Sequence, residues 1–208
     1  KNQAYIYIIF SSTPYKMGSF IRTITRNKYN HVSISLNKDL KEMYSFARIY
    51  KNTPFYGGFV KETHSRYIKG NKKAFIKLCA IPISKKKKKD IINYINEISN
   101  NKDMYLYNTF SAALFPLHKK IEIKKSYTCI EFIVSVLNLI DSEFDKQKFY
   151  TIKELEEKLN KYVVYSGKYP FSDSINEEDN YNEHQTIGYN LVKTTSLLKN
   201  LIKRKFEK

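Results

Sequence analysis

The sequence predicts an α+β fold, and three segments carry that expectation. Ala4 to Phe10 is an apolar, Tyr-rich run ended by the turn-prone Ser11, Ser12, Thr13 and Pro14, as in a buried strand. His31 to Leu36 alternates, with Val32, Ile34 and Leu36 on one face and His31, Ser33 and Ser35 on the other, the pattern of a half-buried strand. Ser126 to Ile140 repeats Ile130, Ile133, Val136, Leu137 and Ile140 at helical spacing, with Ser126 as its expected N-cap.

Other elements fall between and after these. Gly18 to Arg26 forms a short helix with Phe20, Ile21 and Ile24 on one side. Asn37 to Asp39 supplies a turn, Glu42 to Ile49 a returning strand, Gly57 and Gly58 a loop, and Lys73 to Ile83 a further strand. The lysines from Lys85 to Lys89 open a helix whose apolar positions are Ile91, Ile92, Ile95 and Ile98. Tyr105 to Leu117 is apolar and ambiguous, with Pro116 a terminator. A helix over Ile152 to Leu159, a strand over Tyr162 to Ser166 and a loop from Pro170 to Gly188 follow. That loop carries Asp173, Glu177, Glu178, Asp179 and Glu183. Tyr189 to Lys208 reads as a basic amphipathic helix built on Leu191, Leu198, Leu201 and Ile202, and packing on the body is its expected fate. Residues 1–167 are expected to form one domain and 168–208 an extension of it.

Composition bounds the function. A chain of 208 residues with 42% hydrophobic and 15% aromatic content can bury a core and is not a disordered polypeptide. Lys and Arg number 37 against 20 Asp and Glu, a net charge of +17 that favours anionic partners, whether a membrane surface, a wall polymer or nucleic acid, without choosing among them. Biased genome composition explains such a surface equally well. No nucleic-acid-binding motif is present, so nucleic acid is not an expected partner. Two cysteines, Cys79 and Cys129, make no disulfide framework, and four scattered histidines with no Cys-x-x-Cys pair predict no metal. No apolar run approaches the ~18 residues of a membrane span. Because the chain begins at Lys1, an upstream signal or anchor is compatible with it; localisation and oligomeric state stay open.

The chemistry points to two residues. Cys129 lies near the start of the strongest helix, where unpaired amides and the helix dipole stabilise an anion and so favour a reactive thiolate. The same amides suit the oxyanion of acyl transfer. Position alone fits a buried core cysteine at least as well. Core packing is the expectation for Cys79, inside an apolar strand. His31 sits on a rigid strand with a mostly polar face, a sound support for a general base. His64, His118 and His184 fall near breakers and are expected to be solvated.

Asn30-His31-Val32-Ser33-Ile34 on a strand, followed much later by Tyr127-Thr128-Cys129-Ile130-Glu131-Phe132 opening a helix, resembles the permuted NlpC/P60 proteins. These are papain-like cysteine enzymes in which the histidine strand precedes the cysteine helix. The likeness is nearest to the YiiX/YycO-like branch, distantly similar to lecithin–retinol acyltransferase. Tyr44-Ser45-Phe46-Ala47-Arg48, Pro54 to Val60 and Tyr105 to Leu114 support it, so it covers about Ala4 to Leu139. The resemblance implies an antiparallel sheet packed on the cysteine helix, with Cys129 as nucleophile and His31 as base. It places Ser45 behind the imidazole as the orienting residue, with Glu42 as the acidic alternative, and gives Tyr127 a role in oxyanion binding. Glu131 matches a common family glutamate, and a helical salt bridge would explain it too. The implied reaction is hydrolysis or transfer at an amide or ester through an acyl-enzyme, without metal or organic cofactor. Peptidoglycan-type amides, lipid esters or amides, and isopeptides all suit that chemistry. A non-catalytic basic module that binds membrane or wall polymer is the competing expectation.

Overall fold

Alternating burial along the first strands organises the molecule. The computed structural model describes residues 3–171 and 180–207, with the side chains at 16, 17, 20, 24 and 180 also outside that description. The expectations for Phe20 and Ile24, and for Asp173, Glu177, Glu178 and Asp179, therefore lie outside the described residues. In β1 (Gln3–Ser12), Ile6, Ile8 and Phe10 face one side of the sheet and Ile9 the other. A short helix, α1 (Lys16–Thr25), leads into β2 (His31–Ser35), β3 (Met43–Arg48) and β4 (Gly57–Glu62). A small hairpin, β5 (Ile68–Lys69) with β6 (Lys72–Lys73), turns at Gly70, whose φ of +54° suits glycine. Then come β7 (Phe75–Ser84), α2 (Lys85–Asn100), β8 (Leu106–Tyr107), α3 (Thr109–Leu114), β9 (Ser126–Tyr127) and α4 (Cys129–Asn138). The chain closes with α5 (Ile152–Leu159), β10 (Val163–Lys168) and α6 (Ile187–Phe206).

The fold is α+β, as expected. Eight strands form one sheet in the order β10-β7-β1-β2-β3-β4-β8-β9, antiparallel except for the parallel β8–β9 pair. On one face, Ile6, Ile8, Val32, Ile34 and Phe46 bury against Ile91, Ile95 and Ile98 of α2 and Phe132, Ile133 and Val136 of α4. Burial of such a side chain contributes about 2 kcal/mol, so this face supplies most of the apolar drive. The opposite face is covered by the β5–β6 hairpin and its flanks, with Ile9, Met43, Tyr67, Ile76 and Tyr169 in a second cluster.

Several expectations are corrected. Gly57 and Gly58 begin a strand rather than a loop. A side chain at 57 would collide with the Ala47 carbonyl oxygen at 2.7 Å and with Tyr107, so glycine lets β3 and Tyr107 close around it. The ambiguous segment before Pro116 resolves into β8 and α3, the latter capped by the Asn108 side chain. The polar face of β2 is buried and not solvated: Ser33 and Ser35 have no exposure, and Ser33 Oγ meets Tyr67 Oη at 2.9 Å. His64 is likewise buried, hydrogen-bonded to Tyr169, whereas His118 and His184 are exposed.

The cysteine helix starts later than the apolar pattern suggested. Ser126 belongs to β9, and Thr128 is the N-cap, in a reciprocal capping box with Glu131. Thr128 N donates to Glu131 Oε2 at 2.6 Å, and Glu131 N donates to Thr128 Oγ1 at 3.3 Å. Glu131 is thus a capping residue. Replacing Thr128 with alanine should lower stability by about 1 kcal/mol in denaturant titration, and an unchanged midpoint would contradict the box.

The last helix packs on the body, but along a different stripe. Leu197 and Leu201 are buried against Ile123 with Tyr56, Leu106, Phe110 and Ile121 alongside, while Leu191 and Ile202 are exposed. Leu201→Ala should therefore cost about 2–5 kcal/mol in a chemical denaturation, against a few tenths for Leu191→Ala. Equal effects would mean that α6 docks otherwise.

Candidate active site

His31 and Cys129 are brought together from opposite layers. Asn30, immediately before β2, is clamped: its backbone N donates to Ser11 O at 3.0 Å, its Oδ1 accepts from Thr13 N at 3.0 Å, and its Nδ2 donates to Thr13 Oγ1 at 3.0 Å. That clamp fixes the start of β2 and with it the His31 ring. Cys129 is the first residue of α4, on the layer that packs over β2 and β3. It lies beside the imidazole on the wall of one cavity, close enough for the two groups to interact electrostatically.

The third group is Glu62, which sequence reasoning missed. Its Oε1 lies 2.5 Å from His31 Nε2, which leaves Nδ1 for the thiol side. Ser45, expected behind the imidazole, instead donates to Glu62 Oε1, and Tyr67 donates to Oε2. Glu42 bonds Asn37 at the exposed far end of β3 and is not part of the site. The register explains the shift. Ser45 pairs with Val60, and Glu62, two residues beyond, falls on the same face of the sheet, so the imidazole is oriented from one strand further along than expected. Had 57–62 been read as a strand, Gly58, Val60 and Glu62 would have shared that face with Ser45. Their glycines concealed it.

Electrostatics follow from this burial. The side chains of His31 and Glu62 retain only 13% and 1% of their accessible area. Desolvation opposes charge on His31, but the Glu62 carboxylate and the hydrogen bonds to Cys129 and Glu62 outweigh it and raise the imidazole from 6.5 to about 10. Burial likewise works against the Glu62 charge. The imidazolium, the nearby Arg66 and the Ser45 hydroxyl prevail and hold the carboxyl at about 2. His31 is therefore protonated across the neutral range. Ser45 acts on the imidazole through Glu62, as a positioning residue. Ser45→Ala should move the alkaline limb of any Cys129 reaction to lower pH; an unmoved limb would reduce Ser45 to packing.

Two further features favour an oxyanion. The capping box occupies the amides of Thr128 and Glu131, while the helix offers no carbonyl to the amides of Cys129 and Ile130. Tyr107, not Tyr127, lines the cavity. Tyr127 packs its ring 5.2 Å from Phe46, and, added to the effect of burial, its proximity to Tyr94 helps raise the Tyr94 phenol. The Tyr107 hydroxyl is held protonated by burial and by the charges of Cys129 and Glu131, and so remains a donor. A cavity of about 240 Å³ opens over Cys129, His31 and Glu62, walled by Ile21, Phe46, Pro54, Phe55, Tyr107 and Ala113. Cys79 has no comparable setting: it is fully buried in β7, and burial pushes its thiol up to about 12.

Among the described residues no group of His, Cys, Asp and Glu could hold a metal ion, and no helix is long and apolar enough to cross a membrane. No family model matches the chain, and no curated protein or solved structure is detectably similar to it.

Proposed function

We propose that the chain is a cysteine-dependent hydrolase or acyltransferase of papain-like, circularly permuted NlpC/P60 type, acting on an amide or ester bond. The observation that carries the reading is the Cys129–His31–Glu62 chain at the foot of a cavity, below a helix start with two uncommitted amides. In this reading Cys129 Sγ, as the thiolate partner of the His31 imidazolium, attacks the carbonyl carbon of the substrate. The oxyanion is received by the Cys129 and Ile130 amides, with Tyr107 as a third donor. The imidazolium then passes its proton to the leaving nitrogen or oxygen, and a thioester remains on Cys129. Water or another acceptor attacks that thioester with His31 as base, releasing the acyl product and restoring the thiolate–imidazolium pair. Each step uses only side chains and amides of this chain.

Iodoacetamide tests the nucleophile. Alkylation should mark Cys129 selectively and spare Cys79, with His31→Ala slowing it by at least tenfold. An inert Cys129 in the folded protein would instead favour a binding module on the same scaffold.

A second observation bears on the partner. α6 leaves Ile187, Leu191, Val192, Ile202 and Phe206 exposed beside Lys199, Lys203 and Lys205. An apolar face edged with lysine suits an anionic membrane, in line with the net charge of +17. Co-sedimentation should occur with phosphatidylglycerol vesicles and fall for Leu191→Ser/Ile202→Ser. Equal capture by neutral phosphatidylcholine vesicles, or by none, would remove the membrane from the account.

A further inference from the structure

The cavity over Cys129 has charged wall residues that the acyl-transfer steps do not use. Its acidic wall residue, Glu62, has both oxygens engaged by His31, Ser45 and Tyr67. Besides that carboxylate and the imidazolium, the described wall residues include Arg48 and Arg66. Arg66 is tied into the wall: Nη1 donates to the Arg48 carbonyl at 2.8 Å, and its guanidinium lies 4.3 Å from the centre of the Tyr181 ring.

Arg48 is different. It ends β3, two residues beyond Phe46 on the cavity wall. Nη1 donates to the Lys51 carbonyl at 2.8 Å and Nη2 to the Tyr181 hydroxyl at 3.1 Å. Both partners are neutral, and among the described residues no carboxylate pairs with it. A guanidinium has five N–H donors in a planar fork, so three remain uncommitted. The two contacts hold the fork in place without cancelling its charge, which is how a preorganised anion receptor is built. Arg48, Tyr107 and Cys129 all line this one cavity. The rest of the wall is largely apolar, suited to a short hydrocarbon stem between the reacting carbonyl and an anionic terminus.

We propose that Arg48 determines specificity by receiving an anionic oxygen group, a carboxylate or a phosphate, carried by the substrate beside the bond that Cys129 attacks. This rests on the reading of Cys129 as nucleophile and adds a substrate class to it: an amide or ester bearing a negative charge a few bonds from the carbonyl.

Protection of Cys129 from iodoacetamide tests the subsite in the intact protein. Succinate and methyl phosphate are titrated separately at constant ionic strength, with chloride as the reference anion, and labelling is read on the Cys129 peptide by mass spectrometry. At least one of the two should slow labelling saturably. Succinate acting alone identifies a carboxylate, and methyl phosphate acting alone identifies a phosphate. Arg48→Gln should raise the half-protecting concentration roughly tenfold, the size of one charge-assisted hydrogen bond, and Arg48→Lys should restore part of it. If neither anion protects the wild-type protein beyond chloride, the proposal is overturned whether or not Arg48→Gln folds. Protection that survives Arg48→Gln unchanged overturns it equally, leaving the Cys129 assignment intact. Failure of iodoacetamide to label Cys129 at all would overturn the nucleophile reading and the subsite with it.

Discussion

Glu62→Gln should slow acylation of Cys129 by on the order of 10³–10⁴-fold, the loss seen when the carboxylate behind a catalytic imidazole is neutralised. The amide keeps the size of the carboxylate but not its charge. Without that charge the burial of His31 goes unopposed by its largest attraction, so the imidazole titrates well below about 10. Its proton is the one given to the leaving group. The alkaline limb of the rate profile should therefore move to lower pH in Glu62→Gln, together with the fall in rate. Stopped-flow acylation by p-nitrophenyl acetate across the pH range measures both. A wild-type rate, or a limb that stays in place, would remove Glu62 from the mechanism.

Folding stability should carry the same pair, with opposite signs at its two ends. His31 is raised in the folded chain, so its contribution is complete below its ordinary 6.5 and is lost as pH rises through about 10. Glu62 is depressed, so its contribution is complete above its ordinary 4.5 and is lost as pH falls through about 2. The two overlap fully only from 4.5 to 6.5. Removing one member of such a buried pair costs about 3–5 kcal/mol, because the other is left charged or must be neutralised in a dry site. Removing both as His31→Asn/Glu62→Gln costs far less. Urea titrations at a series of pH values should show the gap between wild type and Glu62→Gln widest inside that window and narrowing on either side. A gap independent of pH would mean that the pair is not ionised.

Much of the architecture was legible because apolar periodicity is a strong signal where one face is buried. β1, β2, α2 and α5 follow it closely, the last over the same residues, Ile152–Leu159. The failures have physical causes. Glycine at 57 serves close packing against Ala47 and Tyr107 and not a turn, which hid β4 and with it Glu62. The apolar run from Ser126 overrode a better cap signal, Thr128 followed three residues later by Glu131, which sets the helix start at the cysteine. On α6, Leu197 and not Leu191 pairs with Leu201, because the i, i+4 relation to one buried leucine decides the docked face. At the candidate site, the motifs pointed to His31 and Cys129, which line one cavity. The orienting carboxylate could not be named, since it sits on a strand that the glycines concealed, and Ser45 marked its neighbourhood rather than its identity.

The claim at the centre is that Cys129 forms an acyl-enzyme with His31 as its proton partner. Brief reaction with p-nitrophenyl acetate, an acid quench and peptide mass spectrometry test it most directly. The account predicts one acetyl group on the Cys129 peptide of the wild-type protein that disappears as the reaction proceeds, and none on that peptide in His31→Ala. Acetylation confined to surface lysines, or acetyl-Cys129 formed equally fast without His31, would contradict it.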